Sequence, residues 1–212
     1  KFVNTRVFLR FLILLFFLIL FQIILIKMKT VLPFLAALLL LSCTPPSETK
    51  KALDKDPNYN PEAQLERLGI ELPEVTSPVA NYVKAVQTGN LLFLSGSGPK
   101  KPDGEYIVGK VGEDLTIEEG YEAARITGIN HIATLKSELG DLSKVKRIVK
   151  VLGMVNSTHD FTDQPKVING FSDLMVEVFG DKGKHARSAV GMASLPTGIA
   201  VEIELIVEIE TP

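Results

Sequence analysis

Arg187 stands in unusual surroundings for an arginine. It lies in the segment HARSAVGMASLPTGIAVEIE, residues 185–204, among small and apolar side chains near the start of a predicted strand. A planar guanidinium can hold a carboxylate through two parallel hydrogen bonds, which makes Arg187 a candidate carboxylate-binding residue. From spacing alone, an ordinary surface arginine is the simpler interpretation.

Other residues that could carry chemistry are few and scattered. The histidines, His131, His159 and His185, lack the spacing of metal ligands, and no GxxxxGK(S/T), GxGxxG or HExxH motif is present. Cys43 is the single cysteine and precedes the globular part of the chain, so a disulfide framework, a thiolate cluster and a thiol nucleophile in that part are all excluded. We expect a site without metal or cofactor, and we expect His131 to be partly packed.

Short apolar segments and a turn signal predict the first strands. Residues 79–88 and 91–95 form two predicted strands joined by the hairpin turn Gly89-Asn90. A loop rich in Gly, Lys and Pro follows, and residues 106–111 indicate a short edge strand.

Two helices are predicted from apolar stripes with spacings of three and four residues. The first begins at Thr116, which forms a capping box with Glu119, and ends at Gly140. Gly128 on its stripe costs about 1 kcal/mol of helix propensity relative to alanine, which a close approach of the helix to a sheet would explain. The second helix occupies residues 165–180, from a proline to a glycine.

Three further strands are predicted at residues 145–155, 186–192 and 200–210. The last alternates between apolar residues and glutamates, which is typical of an antiparallel strand with one buried face. Glu202 lies on the glutamate side, where one more solvated carboxylate is the simplest interpretation. This order of elements predicts an α+β fold, a single domain with helices packed on one face of a mainly antiparallel sheet.

Residues 1–42 differ in composition from the rest of the 212-residue chain. They hold seven of the eleven phenylalanines and five basic residues, but no acidic residue, whereas the remainder has 18 basic and 25 acidic residues. The acidic balance of the remainder argues against a nucleic-acid partner. We divide the chain into an upstream or extra hydrophobic segment at 1–27, a signal peptide at 28–42, a flexible tether at 43–61 and a globular domain at 62–212.

The segment 28–42 resembles the signal peptide of bacterial lipoproteins. A basic start and an apolar run of 11 residues lead to LLSC at residues 40–43, which fits that family's pattern of Leu, variable, small, Cys. The resemblance implies acylation of Cys43 and an exported, membrane-anchored lipoprotein on the periplasmic side, with Thr44 favouring the outer membrane. Alternatively, Cys43 merely ends a hydrophobic anchor, or the N-terminal segment is not used and the protein is cytoplasmic.

The globular domain is similar to the RidA/YjgF/UK114 family. The segment from Arg187-Ser188 through Leu-Pro to the glutamate-rich strand resembles the family's C-terminal signature, and residues 77–96 resemble its first hairpin. The likeness covers residues 70–209. Two runs, residues 120–155 and 161–180, more closely resemble a branch labelled endoribonuclease L-PSP-like. The likeness implies a chorismate-mutase-like protomer and a homotrimer with ligand clefts between subunits.

The resemblance also implies roles for particular residues. The family's arginine falls on Arg187, its water-associated glutamate on Glu202, its hairpin tyrosine on Tyr82 and the serine after its second strand on Ser95. Arg187 and Glu202 are thereby candidate catalytic residues, and Tyr82, Ser95 and Arg187 candidate substrate-binding residues. Tyr82 equally fits a packing aromatic at the subunit boundary.

The activity implied by the resemblance is hydrolysis of 2-imino or 2-enamino acids to 2-keto acids and ammonia. We expect Arg187 to hold the carboxylate of a small metabolite while Glu202 positions a water. A non-catalytic trimeric sensor of small carboxylates is the alternative, and ribonuclease activity is the least favoured because the domain is acidic and lacks a basic-aromatic stripe. The chain departs from the family in Ala189, which replaces a cysteine, and in a short insertion at 162–165.

Overall fold

Five strands form one mixed sheet in the computed structural model, which describes residues 59–75 and 81–210. The strands are β1 (Ala85–Thr88), β2 (Leu91–Ser97), β3 (Val145–Asn156), β4 (Ala186–Met192) and β5 (Val201–Ile209). Their order is β1-β2-β5-β3-β4, and every neighbouring pair is antiparallel except β3 and β4. The predicted α+β domain with a mainly antiparallel sheet is confirmed.

Three α-helices accompany the sheet: α1 (Pro61–Leu68), α2 (Ile117–Leu139) and α3 (Gln164–Phe179). The capping box predicted for α2 is formed in both directions, with the side chain of Thr116 accepting from Glu119 and that of Glu119 accepting from Thr116. Gly140 ends α2 in the left-handed conformation at φ 72°, which a glycine adopts without steric cost. Both predicted helices therefore form at the positions that the sequence indicates.

The core lies between the sheet and the pair α2 and α3. Phe171 and Leu174 of α3 are completely buried there, as is Leu135 of α2. The apolar face of β5 is buried as its alternation predicts, and its buried residues are Val201, Ile203, Leu205, Val207 and Ile209. The opposite side of the sheet has no helix on it among the described residues, and we call that side the open face. Its apolar members are Val86, Phe93, Leu152, Met154, Val190 and Ile206.

Two strand predictions need correction. The first strand begins at Ala85 and not at residue 79. Residues 76–80 lie outside the described part, and 81–84 make no ladder, although the N–H of Ser95 still donates to the carbonyl of Lys84 at 3.0 Å. The edge strand expected at 106–111 is absent from the described fold, which has only isolated bridges there. Gly109, with φ 128°, turns the backbone out of the extended conformation.

Helix α1 has no counterpart among the predicted elements. Asn60 caps its N-terminus through the side chain, Pro61 occupies its first turn and Gly69 ends it at φ 67°. These are the ordinary signals of a short helix, but the segment is polar and only eight residues long, so no apolar stripe marks it.

The N-terminal end of the described chain is packed against the helices. The hydroxyl of Tyr59 donates to the carbonyl of Val178 at 2.7 Å, and Glu62 accepts a bond from Lys136 at 2.9 Å. The tether predicted at 43–61 therefore has its last three residues in contact with the domain. The rest of that tether, Cys43 and both hydrophobic segments lie outside the described residues. Within the described part, no helix is long and apolar enough to cross a membrane.

Helices α2 and α3 approach each other closely at two glycines. A Cβ at Gly170 would collide with the backbone carbonyl of Tyr121, whereas one at Gly128 would lie 2.8 Å from Cδ2 of Leu174. The expectation that Gly128 allows a close approach of α2 to the sheet is wrong, because Gly128 faces side chains of α3. Close contact between two helices explains the loss of helix propensity.

Replacing Gly170 by alanine is expected to lower the free energy of unfolding by about 2 kcal/mol, because the backbone that it meets cannot move aside. Gly128→Ala is the matched control. Its methyl meets the tip of a leucine that can rotate, and a gain of about 1 kcal/mol in helix propensity offsets the crowding. Urea unfolding followed by circular dichroism measures both variants, and equal stabilities would contradict the argument.

Candidate functional site

Arg187 lies on β4, the strand at one edge of the sheet, and points toward α3. It pairs in register with Val151, which is completely buried on the helix-covered side. Nη1 of Arg187 donates to Oδ1 of Asn169 and to Oγ of Ser172, both at 2.9 Å, and Nη2 donates to the carbonyl of Pro165 at 3.4 Å. Asn169 and Ser172 are three positions apart on α3 and therefore lie on one face of that helix.

All three acceptors around Arg187 are uncharged. Within the described residues, Arg187 forms no ion pair with a carboxylate, and its side chain is half-buried. The bonds fix the direction of the guanidinium without neutralising its charge. A cation held in this way is suited to an anionic group of a ligand, and the planar fork matches a carboxylate.

Glu202 lies on β5 and faces the open side of the sheet. Its carboxylate rests on the backbone of Gly96 in β2, where a Cβ would collide with Oε1 of Glu202. Burial raises the pKa of Glu202 above its ordinary value of 4.5, and the neighbouring carboxylate of Glu204 raises it further. A glycine at position 96 therefore provides the space that lets this carboxylate lie half-buried.

The other glutamates of that face differ from Glu202. Glu204 and Glu210 are exposed. Glu208 forms an ion pair with Lys146 at 2.8 Å, and the hydrogen bond from that lysine lowers the pKa of Glu208. Glu202 has no such pair among the described residues, so it is not simply another solvated or paired carboxylate.

Ser95 and Tyr82 belong to the first hairpin and the segment that leads into it. Ser95 precedes Gly96 on β2, and its hydroxyl donates to the carbonyl of Val83 at 2.7 Å. Tyr82, in the segment leading into β1, is 50% exposed. The structure thus places Ser95 next to the glycine that supports Glu202, and it leaves Tyr82 half-exposed.

Arg187 and Glu202 do not meet within one copy of the chain. Arg187 is in register with Val151 on the helix-covered side, whereas Glu202 is in register with Met154 on the open face. One strand separates β5 from β4, a distance of about 10 Å, and the three-residue offset adds about 10 Å along the strands. A single copy therefore presents two halves of a site in different directions.

Neither half lines either of two cavities in the described part of the chain. A cavity of about 580 Å³ is bordered by Lys110 and Gly191, and one of about 380 Å³ by Lys84 and Tyr106. Arg187, Glu202, Tyr82 and Ser95 line neither. No group of three or more metal-ligating side chains occurs among the described residues.

His131 is buried more completely than the expected partial packing. It is 1% exposed, and its Nε2 donates to the carbonyl of Ile203 at 2.7 Å, so it links α2 to β5. Burial lowers its pKa to about 4, against a smaller raising effect of the bond to Ile203. His131 is therefore neutral at pH 7 and acts as a structural residue.

A sequence profile of the family described as "YjgF/chorismate mutase-like, putative endoribonuclease" matches residues 62–209. The chain belongs to this YjgF family. Among YjgF relatives, Protein TCP17 of Trypanosoma cruzi is 47% identical over 148 residues, which is 69% of this chain and 92% of that protein. The 2-iminobutanoate/2-iminopropanoate deaminase of Dermatophagoides farinae is 32% identical over 142 residues, 66% of this chain and 95% of the relative.

Solved structures of similar proteins have the same fold. The protein Atu1372 of Agrobacterium tumefaciens, described as of unknown function, is 44% identical with a TM-score of 0.66, over 71% of this chain and 94% of that one. A protein of Shewanella oneidensis MR-1, described as a candidate endoribonuclease, is 35% identical with a TM-score of 0.68, over 71% and 99%. The predicted chorismate-mutase-like architecture is thereby confirmed.

Sequence reasoning did not identify the partners of the predicted residues. Asn169 and Ser172 hold Arg187, and Gly96 supports Glu202. The spacing of Asn169 and Ser172 on one helix face is visible in the sequence, but nothing there indicates which strand that face covers. The roles assigned to Arg187 and Glu202 stay predictions, for which the geometry now supplies a physical basis.

Proposed function

We propose that this YjgF protein hydrolyses small 2-imino acids to 2-keto acids and ammonia. The observation that carries the proposal is the guanidinium of Arg187, which is fixed by three neutral acceptors and has no carboxylate partner in the described chain. Every 2-imino acid carries a carboxylate beside the reacting carbon, so a clamp on that group also orients the imine. The deaminase relative supports the same reaction class.

The chemistry requires little more than positioning. Water adds to the imine carbon and forms a carbinolamine; the amino group then takes up a proton and leaves as ammonia, giving the keto group. An ionised Glu202 can accept a hydrogen bond from the water and hold that water against the imine carbon. A proton of the water then passes to the departing nitrogen. This reaction consumes one water and uses no oxidant or reductant.

We propose further that the site is completed by a second copy, in a homotrimer. The support is that Arg187 and Glu202 face different directions in one copy. The open face is also apolar, with Val86 57%, Phe93 41% and Val190 40% exposed. An apolar face of this kind favours burial against another protein surface. In the proposed homotrimer, the arginine half of one copy would meet the glutamate half of its neighbour.

The direct test is the decay of 2-iminopropionate produced from alanine by an amino-acid oxidase, with the residual imine trapped by semicarbazide. The full-length chain should accelerate this decay. Binding of 2-oxobutanoate without acceleration would instead support a sensor of small carboxylates. If the chain neither binds 2-oxobutanoate nor accelerates the decay, the carboxylate site itself is refuted.

We also propose that the chain is exported and anchored through an acylated Cys43. The support is LLSC after a basic and apolar segment, and several acyl chains anchor stably because each buried methylene contributes about 0.8 kcal/mol. Labelled palmitate should appear on the wild-type chain and not on Cys43→Ser when both are expressed in a bacterium. Label retained on Cys43→Ser would refute acylation at this cysteine.

A further inference from the structure

The hydrogen bonds of Arg187 continue beyond Ser172 to a histidine. Nδ1 of His185 lies 2.6 Å from the carbonyl oxygen of Gly183, and its Nε2 lies 3.0 Å from Oγ of Ser172. The same Oγ lies 2.9 Å from Nη1 of Arg187. His185 and Arg187 are two residues apart on the same side of the chain, and Ser172 reaches both from α3.

The direction of each bond in this chain follows from one carbonyl. A carbonyl oxygen only accepts, so Nδ1 of His185 must carry the proton that it donates to Gly183. In the neutral ring Nε2 is then an acceptor, and the hydroxyl of Ser172 donates to it. The guanidinium only donates, so Arg187 directs Nη1 at a lone pair of the serine.

The neutral form of His185 is the stable one at pH 7. Burial lowers its pKa below the ordinary 6.5; the bond to Gly183 opposes this, and the charge of Arg187 lowers it further. From α3 the ring is faced by Ser172 and by the edge-on ring of Phe171, with centroids 6.2 Å apart, and neither carries a charge. Asp181 and Lys184, in the preceding turn, form an ion pair with each other.

We infer that His185 is a positioning residue for the carboxylate clamp: through Ser172 it fixes the direction in which Arg187 presents its guanidinium. The inference rests on the proposed function, since it specifies how that clamp is oriented. Without an acceptor at His185, the hydroxyl of Ser172 turns to a helix carbonyl one turn back, as serines in helices do. The lone pair that receives Nη1 then moves, and the guanidinium loses one of its fixed contacts.

The same three residues also have a simpler structural interpretation, in which they merely tie β4 to α3. The two interpretations differ in what a variant changes. A clamp residue acts on the substrate carboxylate, which is present before and during the reaction, so its loss raises KM more than it lowers kcat. A strand tie acts on stability and alters KM and kcat without such a preference.

The test uses the full-length chain and three substitutions. His185→Phe keeps the ring and its contact with Phe171 but removes both nitrogens, Ser172→Ala removes the link, and His185→Gln restores an acceptor near Nε2. Ser137→Ala, at an exposed position of α2, is the matched control for the serine. KM and kcat are measured with 2-iminopropionate, and Kd with 2-oxobutanoate.

His185→Phe and Ser172→Ala should each raise KM and Kd about fivefold to tenfold, the usual worth of one hydrogen bond, with kcat within about twofold. His185→Gln should return both values to within about twofold of wild type, and Ser137→Ala should change neither. Unchanged KM and Kd in an active wild-type background, a fall in kcat alone, or a glutamine variant no better than phenylalanine would overturn the inference. A wild-type chain that neither binds 2-oxobutanoate nor hydrolyses the imine would instead overturn the proposed function.

Discussion

Arg187→Ala is expected to lower kcat/KM for 2-iminopropionate by about 100-fold to 10,000-fold. The variant loses two charge-assisted hydrogen bonds to the substrate carboxylate, each contributing about 1.5–3 kcal/mol, and 1.4 kcal/mol corresponds to a tenfold change. Most of the loss should appear in KM, because the carboxylate is bound before and during the reaction. The remainder should appear in kcat, because an unclamped substrate loses its orientation.

Two further variants make this result specific. Arg187→Lys keeps the positive charge but loses the planar fork, so it should recover only part of the activity. Arg67→Ala removes an exposed arginine of α1 whose Nε donates to Gln64 at 2.9 Å, and its kinetics should match those of wild type. Full activity of Arg187→Ala, measured by initial rates in the trapping assay, would show that the clamp is not used.

Glu202→Gln is expected to lower kcat by about 100-fold while leaving KM near the wild-type value. The amide fits the space above Gly96, but it cannot take the negative charge that holds and activates a water, a contribution typically of 10²–10⁴. The substitution should not reduce stability at neutral pH. Because the pKa of Glu202 is raised in the fold, this carboxyl contributes stability at low pH that is lost as the pH rises through its folded pKa.

The dependence of kcat on pH tests whether Glu202 is the carboxylate that activates the water. In wild type, kcat should fall as the pH falls through the raised pKa of Glu202, above the ordinary 4.5. Glu204→Gln removes a neighbouring charge that raises that pKa, so it should keep most of the activity and move the acid limb to lower pH. An acid limb that survives in Glu202→Gln would assign it to another group.

A mixture of the two inactive variants tests whether the site is shared between copies. Subunits of Arg187→Ala and Glu202→Gln are unfolded together and refolded as mixed assemblies. These should recover about one quarter of the wild-type rate, because after random mixing about one quarter of the shared sites contain both an intact arginine and an intact glutamate. Each variant refolded alone should stay inactive. Mixed assemblies without recovery would place both residues of a site on one copy.

Local signals in the sequence predicted the long helices and strands, whereas the contacts between residues distant in the chain were not predicted. The capping box at Thr116 and the alternation around Glu202 depend on neighbours within a few residues, and both predictions are confirmed. The strand expected at 106–111 failed because the apolar run Tyr106-Ile107-Val108 favours a strand, whereas Gly109 turns the backbone out of the extended conformation. Helix α1 was missed because it is short and polar, although Asn60 and Gly69 mark its ends.

For the site, sequence comparison pointed to individual residues and could not place them relative to each other. Arg187 and Glu202 are 15 positions apart in the chain, yet they lie on opposite sides of the sheet, with a turn and a 3-10 segment between their strands. Asn169 and Ser172 become partners of Arg187 only because β4 lies parallel to β3. This pairing needs a connection that returns to the start of β3, and α3 lies within that connection, next to β4. Such contacts follow from topology, which no local pattern specifies.

The parallel pairing of β3 and β4 also determines when the arginine half of the site can form during folding. Strands β1 and β2 are joined by a two-residue turn and can pair early, because closing a short loop costs little entropy. Residues 157–185 must first cross from one end of β3 back to the other before β4 can pair, and α3 lies within this connection. Pairing of this non-local kind is slow. The glutamate half thus contains the hairpin that can form first, whereas the orientation of Arg187 is completed only when α3 has docked.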